Sequence, residues 1–248
     1  MRYERILPYQ IRQAIAEGWP VVLPLGVLEY HGEHLGVGMD TLAVTGVLER
    51  LEAEGPLVIL PPFYYGAASY AVEPPEGNGS VQVPGEALAG FARGLFQGLL
   101  RVGFRNIHAI IHHQTENFAA GMPTDLAFKF AARTVIFDWL ERERGEGWWG
   151  RPAMADYYAG REAGGDDPFN WIRIGALMPA SMQGIYPFDH AGVGETSLML
   201  ALCPEVVDMG RIAAEPWYVK GAEAATKAAG EAGVALILAH WRRVLWGR

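Results

Sequence analysis

Val21-Val22-Leu23-Pro24-Leu25 is a continuous apolar run closed by Gly26, and it leads directly to Glu29-Tyr30-His31-Gly32-Glu33-His34 and then to Asp40. A short apolar run without polar alternation reads as a strand buried on both faces. Side chains alternate along extended chain, so Glu29 and His31 project to one side. Gly26, Gly32, Gly36 and Gly38 allow the tight path that would bring Asp40 back to the same spot. Two histidines and three acidic residues thus fall within the eighteen positions from Leu23 to Asp40. Mixed imidazole and carboxylate donors suit zinc, manganese or iron, and a carboxylate at Asp40 could bridge two such cations. The simpler reading makes Asp40 the N-cap of a helix beginning at Thr41, with Glu29 and His31 in an ordinary loop hydrogen bond.

Outward from this stretch, Leu57 to Leu60, Asn106 to Ile111 and Thr134 to Phe137 read as further buried strands. Helical patterns lie between and after them, over Thr41 to Ala53, Glu86 to Val102, Phe118 to Ala132, Ala191 to Ala201 and Gly221 to Trp246. The second of these carries Leu88, Phe91, Leu95 and Leu99 at helical spacing, and the last has glycines at 230 and 233 that could break it. Alternation of strand and helix predicts an α/β fold of three layers, α/β/α, around a mostly parallel central sheet. Residues 145–190 differ, being rich in glycine, proline and aromatics such as Trp148, Trp149, Tyr157, Tyr158 and Trp171. They read as a long excursion over the sheet, a lid or a surface insertion, within a single domain spanning residues 1–248.

Composition narrows the function. Half of the residues are hydrophobic and 19% are charged, which fits a folded globular chain. The net charge of −8 gives no basic stripe for phosphate backbones, so nucleic acid is not an expected partner. The single cysteine, Cys203, excludes an intrachain disulfide and a thiolate zinc cluster. The N-terminus lacks the apolar core of a secretory signal, and the apolar run at 233–240 is too short for a membrane span. A packed soluble enzyme is allowed, and a cytoplasmic location is expected.

Two further polar clusters follow strands or precede helices. His112-His113-Gln114-Thr115-Glu116-Asn117 leaves the strand ending at Ile111, and Phe188-Asp189-His190-Ala191-Gly192 runs on to Glu195-Thr196-Ser197 at the start of a helix. Taken with Leu23 to Asp40, and with Gly79-Ser80 and Pro204 to Met209, these segments resemble the motifs of the creatininase (creatinine amidohydrolase) family in order and over most of the chain. The resemblance implies a creatininase-like fold and a binuclear site holding two divalent ions, zinc or manganese, with iron as a further option. Glu29 would bind one ion, His31 the other, Asp40 both, and Glu116 would complete the set. His34 corresponds to a motif histidine that orients the loop, and Glu33 is left to solvent. The family's imidazole ligand falls at Gln114, a poor ligand for zinc. Either His113 supplies the imidazole by a local shift or that metal is weakened or absent; His113 is the assignment adopted, with His112 as a supporting histidine.

His190 corresponds to a histidine that transfers a proton to the leaving group, and Glu195 to a supporting acid or proton relay. Ser80, Phe188 and Asp189 match substrate-contacting positions, and Trp148 and Trp149 could close over a ring. The implied reaction is attack by an ionised water on a carbonyl or cyclic amide of a small substrate, in a homo-oligomer such as a hexamer. The alternatives are a single-metal hydrolase, lyase or isomerase of oxidised cyclitols or keto-sugars, and a noncatalytic metabolite-binding homologue.

Overall fold

The computed structural model describes residues 1–67, 70–113, 121–156, 167–213 and 215–247. Within them, β1 (Val21–Leu25), β2 (Val58–Ile59), β3 (Ile107–Ile111) and β4 (Ile172–Ala176) form a parallel sheet in the order β2-β1-β3-β4. Six longer helices accompany it among these residues: α1 (Pro8–Ala16), α2 (Met39–Glu52), α3 (Gly85–Val102), α4 (Pro123–Arg144), α5 (Val193–Leu202) and α6 (Lys227–Trp246). Val21, Leu23 and Leu25 of β1 and Ile107, Ala109 and Ile111 of β3 pack with Leu88, Phe96, Phe128 and Ile136 on one face. Their neighbours Val22 and Ile110 turn to the other face, among Val44, Leu48, Leu198 and Ile237. Alternation along each strand therefore feeds one core on each side, and the sheet is the middle of the expected three layers.

The chain passes from β1 to β2 through α2, and then crosses back to β3 through α3. β2 and β3 thus flank β1 on opposite sides. The crevice beyond the carboxyl ends of β1 and β3 is the switch point at which open parallel sheets bind ligands.

Four readings of the sequence are corrected. Thr134 to Phe137 is not a strand but the middle of α4, a helix opened by Pro123 and by Asp125, which accepts the Met122 amide. Ala127, Phe128, Ala131, Ala132, Val135 and Ile136 are buried on a helical period, and that burial outweighs the few tenths of a kcal/mol by which each β-branched residue disfavours helix. The fourth strand is instead β4, inside the segment read as an irregular excursion; it is as long as β1 and β3 but only Ile172 is buried, so it lacks their continuous buried run. In α3, Phe91 is exposed while Ala92 and Phe96 are buried, so the buried stripe runs one position beyond the one read from its spacing.

Gly230 and Gly233 do not break α6, which runs unbroken from Lys227 to Trp246. A Cβ at 230 would lie 1.8 Å from the Ser197 carbonyl oxygen of α5, and one at 233 would lie 2.4 Å from the Tyr186 ring. The glycines are there because one helix, α5, and the Tyr186 ring approach the α6 backbone directly.

Candidate metal centre

Four short segments converge on the switch point. The β1 exit brings Glu29 and His31, and its loop is closed by the Glu29 amide donating to the Val37 carbonyl at 2.9 Å. α2 starts at Met39 with Gly38 as its N-cap, so Asp40 is a buried residue of the first turn and not the cap. At Gly26 a Cβ would meet the Thr41 amide nitrogen at 2.5 Å, so the absence of a side chain lets the exit of β1 lie against that turn. The β3 exit brings His112 and His113, and the start of α5 brings Glu195, with His190 just before it.

The imidazoles are oriented by backbone carbonyls. His31 uses Nδ1 for the Glu29 carbonyl at 3.0 Å, His113 uses Nε2 for the Ala67 carbonyl at 3.2 Å, and His190 uses Nε2 for the Tyr30 carbonyl at 2.9 Å. A carbonyl only accepts, so each of these nitrogens carries the hydrogen, and in the neutral ring the other nitrogen carries a lone pair. Those lone pairs face carboxylates. His113 Nδ1 lies 3.2 Å from Glu29 Oε2 and 3.4 Å from Asp40 Oδ2. His31 Nε2 lies 3.4 Å from Asp40 Oδ1 and 3.7 Å from Glu195 Oε2. His190 Nδ1 lies 4.0 Å from Glu29 Oε2.

Lone pair against carboxylate is repulsive unless a proton or a metal cation lies between them. Both oxygens of Glu29, Oδ2 of Asp40 and Nδ1 of His113 are buried without a hydrogen-bond partner, which native interiors seldom tolerate. Ligand atoms of Glu29, Asp40 and His113 lie within 4.8 Å of one another, as do those of His31, Asp40 and Glu195 and those of Glu29, His31 and His190. These residues could hold a metal ion, and the nitrogen and oxygen donor set suits zinc or manganese.

The electrostatics agree. Burial alone would lower the His31 pKa, but Asp40, Glu195 and Glu29 outweigh it and raise it to about 10. His113 is likewise raised to about 10 against its burial, by Asp40 and Glu29. Asp40 and Glu195 are held below the usual carboxylate range, for burial is outweighed by His31 and His113 at the first and by His112 and His31 at the second. A site that binds protons this firmly at two imidazoles offers the same field to a metal ion, which displaces them.

Around this cluster the expected residues divide. His112 Nε2 meets Glu195 Oε1 at 2.9 Å, and the Ala191 amide donates to Glu195 Oε2 at 2.7 Å, so Glu195 is clamped from both oxygens. Ala191 takes a left-handed φ of 54° to aim that amide. His34 reaches Thr196 Oγ1 at 2.9 Å and ties the loop to α5, while exposed Glu33 accepts from the Tyr30 hydroxyl. Asp189 lines the cavity and accepts the Gly194 and Glu195 amides at the head of α5. Burial, with Glu195 nearby, raises its pKa. Ser80 accepts the Tyr30 amide and so supports the loop, and it does not line the cavity. Trp148 is buried in the core beside α4, and neither it nor Trp149 is among the residues lining the cavity. Gln114 and Glu116, like Tyr157 and Tyr158, lie outside the described residues.

The cavity measures about 560 Å³ and is lined by Glu29, His31, Asp40, His112 and Glu195 at its base and by Phe188, Asp189, His190, Trp217, Tyr218 and Lys220 among others. The last three were not singled out from the sequence, and the adjacent aromatics after Pro216, outside any helical stripe, were the available signal.

A family model described as creatininase, creatinine amidohydrolase, matches residues 7–235. A creatinine amidohydrolase of Pseudomonas putida is 27% identical over 206 residues, covering 79% of this chain and 69% of that protein. A 3-dehydro-scyllo-inosose hydrolase of Thermotoga maritima is 26% identical over 199 residues, covering 79% of this chain and 54% of that protein, so the match spans about half of its length. A solved structure designated creatininase Mn superposes with a TM-score of 0.71 at 22% identity, covering 98% of this chain and 97% of that one.

Proposed function

The chain belongs to the creatininase family, and from that premise we propose that it is a metal-dependent amidohydrolase that holds two divalent ions and opens a small cyclic substrate at a ring carbonyl. The observation that carries this reading is the set of imidazole lone pairs fixed toward buried, unpartnered carboxylate oxygens. Glu29, Asp40 and His113 would hold one ion, and His31, Asp40 and Glu195 the other, with one oxygen of Asp40 facing each imidazole. His113 thereby takes the position that Gln114 cannot fill. Zinc or manganese bound in this donor set supplies a Lewis acid for the carbonyl and lowers the pKa of water to near neutrality.

The chain's own groups do the rest. His190 is partly exposed to the cavity, with Nε2 committed to the Tyr30 carbonyl and Nδ1 turned inward. An imidazole held this way can take a proton and return it to the departing atom. Its ring stacks on His31 at 4.1 Å and meets Tyr218 edge-on at 5.4 Å, which fixes its plane. Phe188 gives the cavity an apolar wall beside these groups. The nearly equal similarity to the inosose hydrolase favours an oxidised cyclitol as the second substrate class for the same site.

Elemental analysis of protein purified without chelator tests the reading on wild type, His113→Ala and Glu195→Gln. The expected result is about two ions per chain in wild type and about one in each variant, with loss of ring opening. Wild type that holds no tightly bound ion, or variants that keep the full complement, would overturn it.

A further inference from the structure

One residue at the cavity mouth serves neither the metal cluster nor His190. Lys220 is the sole lysine or arginine among the described lining residues, which include four carboxylates, Glu29, Asp40, Asp189 and Glu195. It is exposed, and its ammonium makes no ion pair among the described residues, whereas Lys129 and Arg2, Arg50, Arg93 and Arg242 all do.

Its backbone is held firmly. Lys220 follows the short turn Trp217–Val219, in which Val219 is buried in the core beneath α2, α5 and α6. Tyr218 of the same turn donates to Glu73 at 2.9 Å and abuts His190. Trp217 lines the cavity with 84% of its surface free, so Trp217 and Lys220 are the parts of this turn left open to an incoming molecule.

This inference rests on the metal-dependent reading. With two divalent ions in place the four lining carboxylates are balanced, and Lys220 is a lysine charge on the wall with no ion pair among the described residues. We propose that Lys220 binds an anionic substituent of the ring substrate, so that the molecule turned over here is a cyclic amide bearing a carboxylate. One end of such a substrate would place its ring carbonyl at the carboxylate–imidazole cluster while the other meets the ammonium. A charge-assisted contact of this kind at a partly covered site is expected to be worth about ten-fold in affinity.

The probes are pyroglutamate, a lactam with a carboxylate, and its uncharged parent pyrrolidinone, titrated calorimetrically into metal-loaded wild type, Lys220→Met and Lys220→Arg, with metal content measured on the same samples. The expected result is that pyroglutamate binds wild type about ten-fold more tightly than pyrrolidinone. That preference should vanish in Lys220→Met, persist in Lys220→Arg and shrink as salt is raised, with metal content unchanged throughout. Metal-loaded wild type that binds both rings equally or neither, or a preference that survives in Lys220→Met, overturns the role of Lys220 while leaving the metal reading intact. Wild type without metal overturns both.

Discussion

His108 and His113 are five residues apart, both are about 1% exposed, and their ionisation is pushed in opposite directions. His108 sits in the middle of β3, with Nε2 2.9 Å from Asn106 Oδ1 and the Trp241 ring beside it. Burial, and after it Arg173, press its pKa down to about 3. His113, at the exit of the same strand, suffers the same burial but faces Glu29 and Asp40, and it rises to about 10. Depth is common to both, so the carboxylates make the difference. The strand interior is built to exclude charge, and its exit is built to hold a cation.

Asp40→Asn should break this contrast most severely, because its two oxygens face His31 and His113 respectively. We expect catalytic efficiency to fall by roughly 10³-fold, the scale of losing a central electrostatic group. Metal content should fall with it, and in metal-free protein the NMR titrations of both imidazoles should move back toward their ordinary range. Titrations that stay where they are would mean that Glu29 and Glu195 alone sustain the field.

A smaller effect is expected from His112→Gln, which weakens the clamp on Glu195 without touching Glu29 or His113. Affinity for one of the two ions should drop by about 10- to 100-fold, as for other groups that orient ligands. Competition with a chromophoric chelator measures this. A lowered melting temperature with unchanged metal affinity would assign His112 to packing alone.

A pH effect sharpens the other side of the comparison. His108 has its folded-state pKa depressed from 6.5 to about 3, so its contribution to stability is complete above the unfolded value and is lost as pH falls through this window. Urea unfolding of wild type should lose about 1.4 kcal/mol more per pH unit than His108→Gln across that range, the signature of one proton. Parallel profiles for the two proteins would contradict it.

The strand exits were legible in the sequence because their cues are local. Alternation sets Glu29 and His31 on one side, and the glycines between Gly26 and Gly38 let Asp40 return. The placement of Glu195 beside His31 was not legible, because it depends on how α5 packs across the β1 exit, more than a hundred and sixty residues away. From sequence alone Glu195 was a relay or a helix-start acid; in the fold its Oε2 stands with the ligand atoms of His31 and Asp40. The burial of Trp148 in the core was not legible either, because an aromatic in the core and one at a cavity look alike in a sequence. Thr134 to Phe137 misled because β-branched residues fit a strand until the buried positions on either side show a helical period.

The contact between α5 and α6 leaves Gly230 no room for a side chain, since its Cβ would strike the carbonyl of Ser197, two residues after Glu195. Any substitution there must shift the helix whose first turn carries Glu195, though Gly230 itself lines no part of the cavity. A selection for inactive variants would therefore recover the small residues of this remote helix alongside the ligands themselves. Mutational tolerance in this chain would then map this close approach of two helices as much as the site it supports.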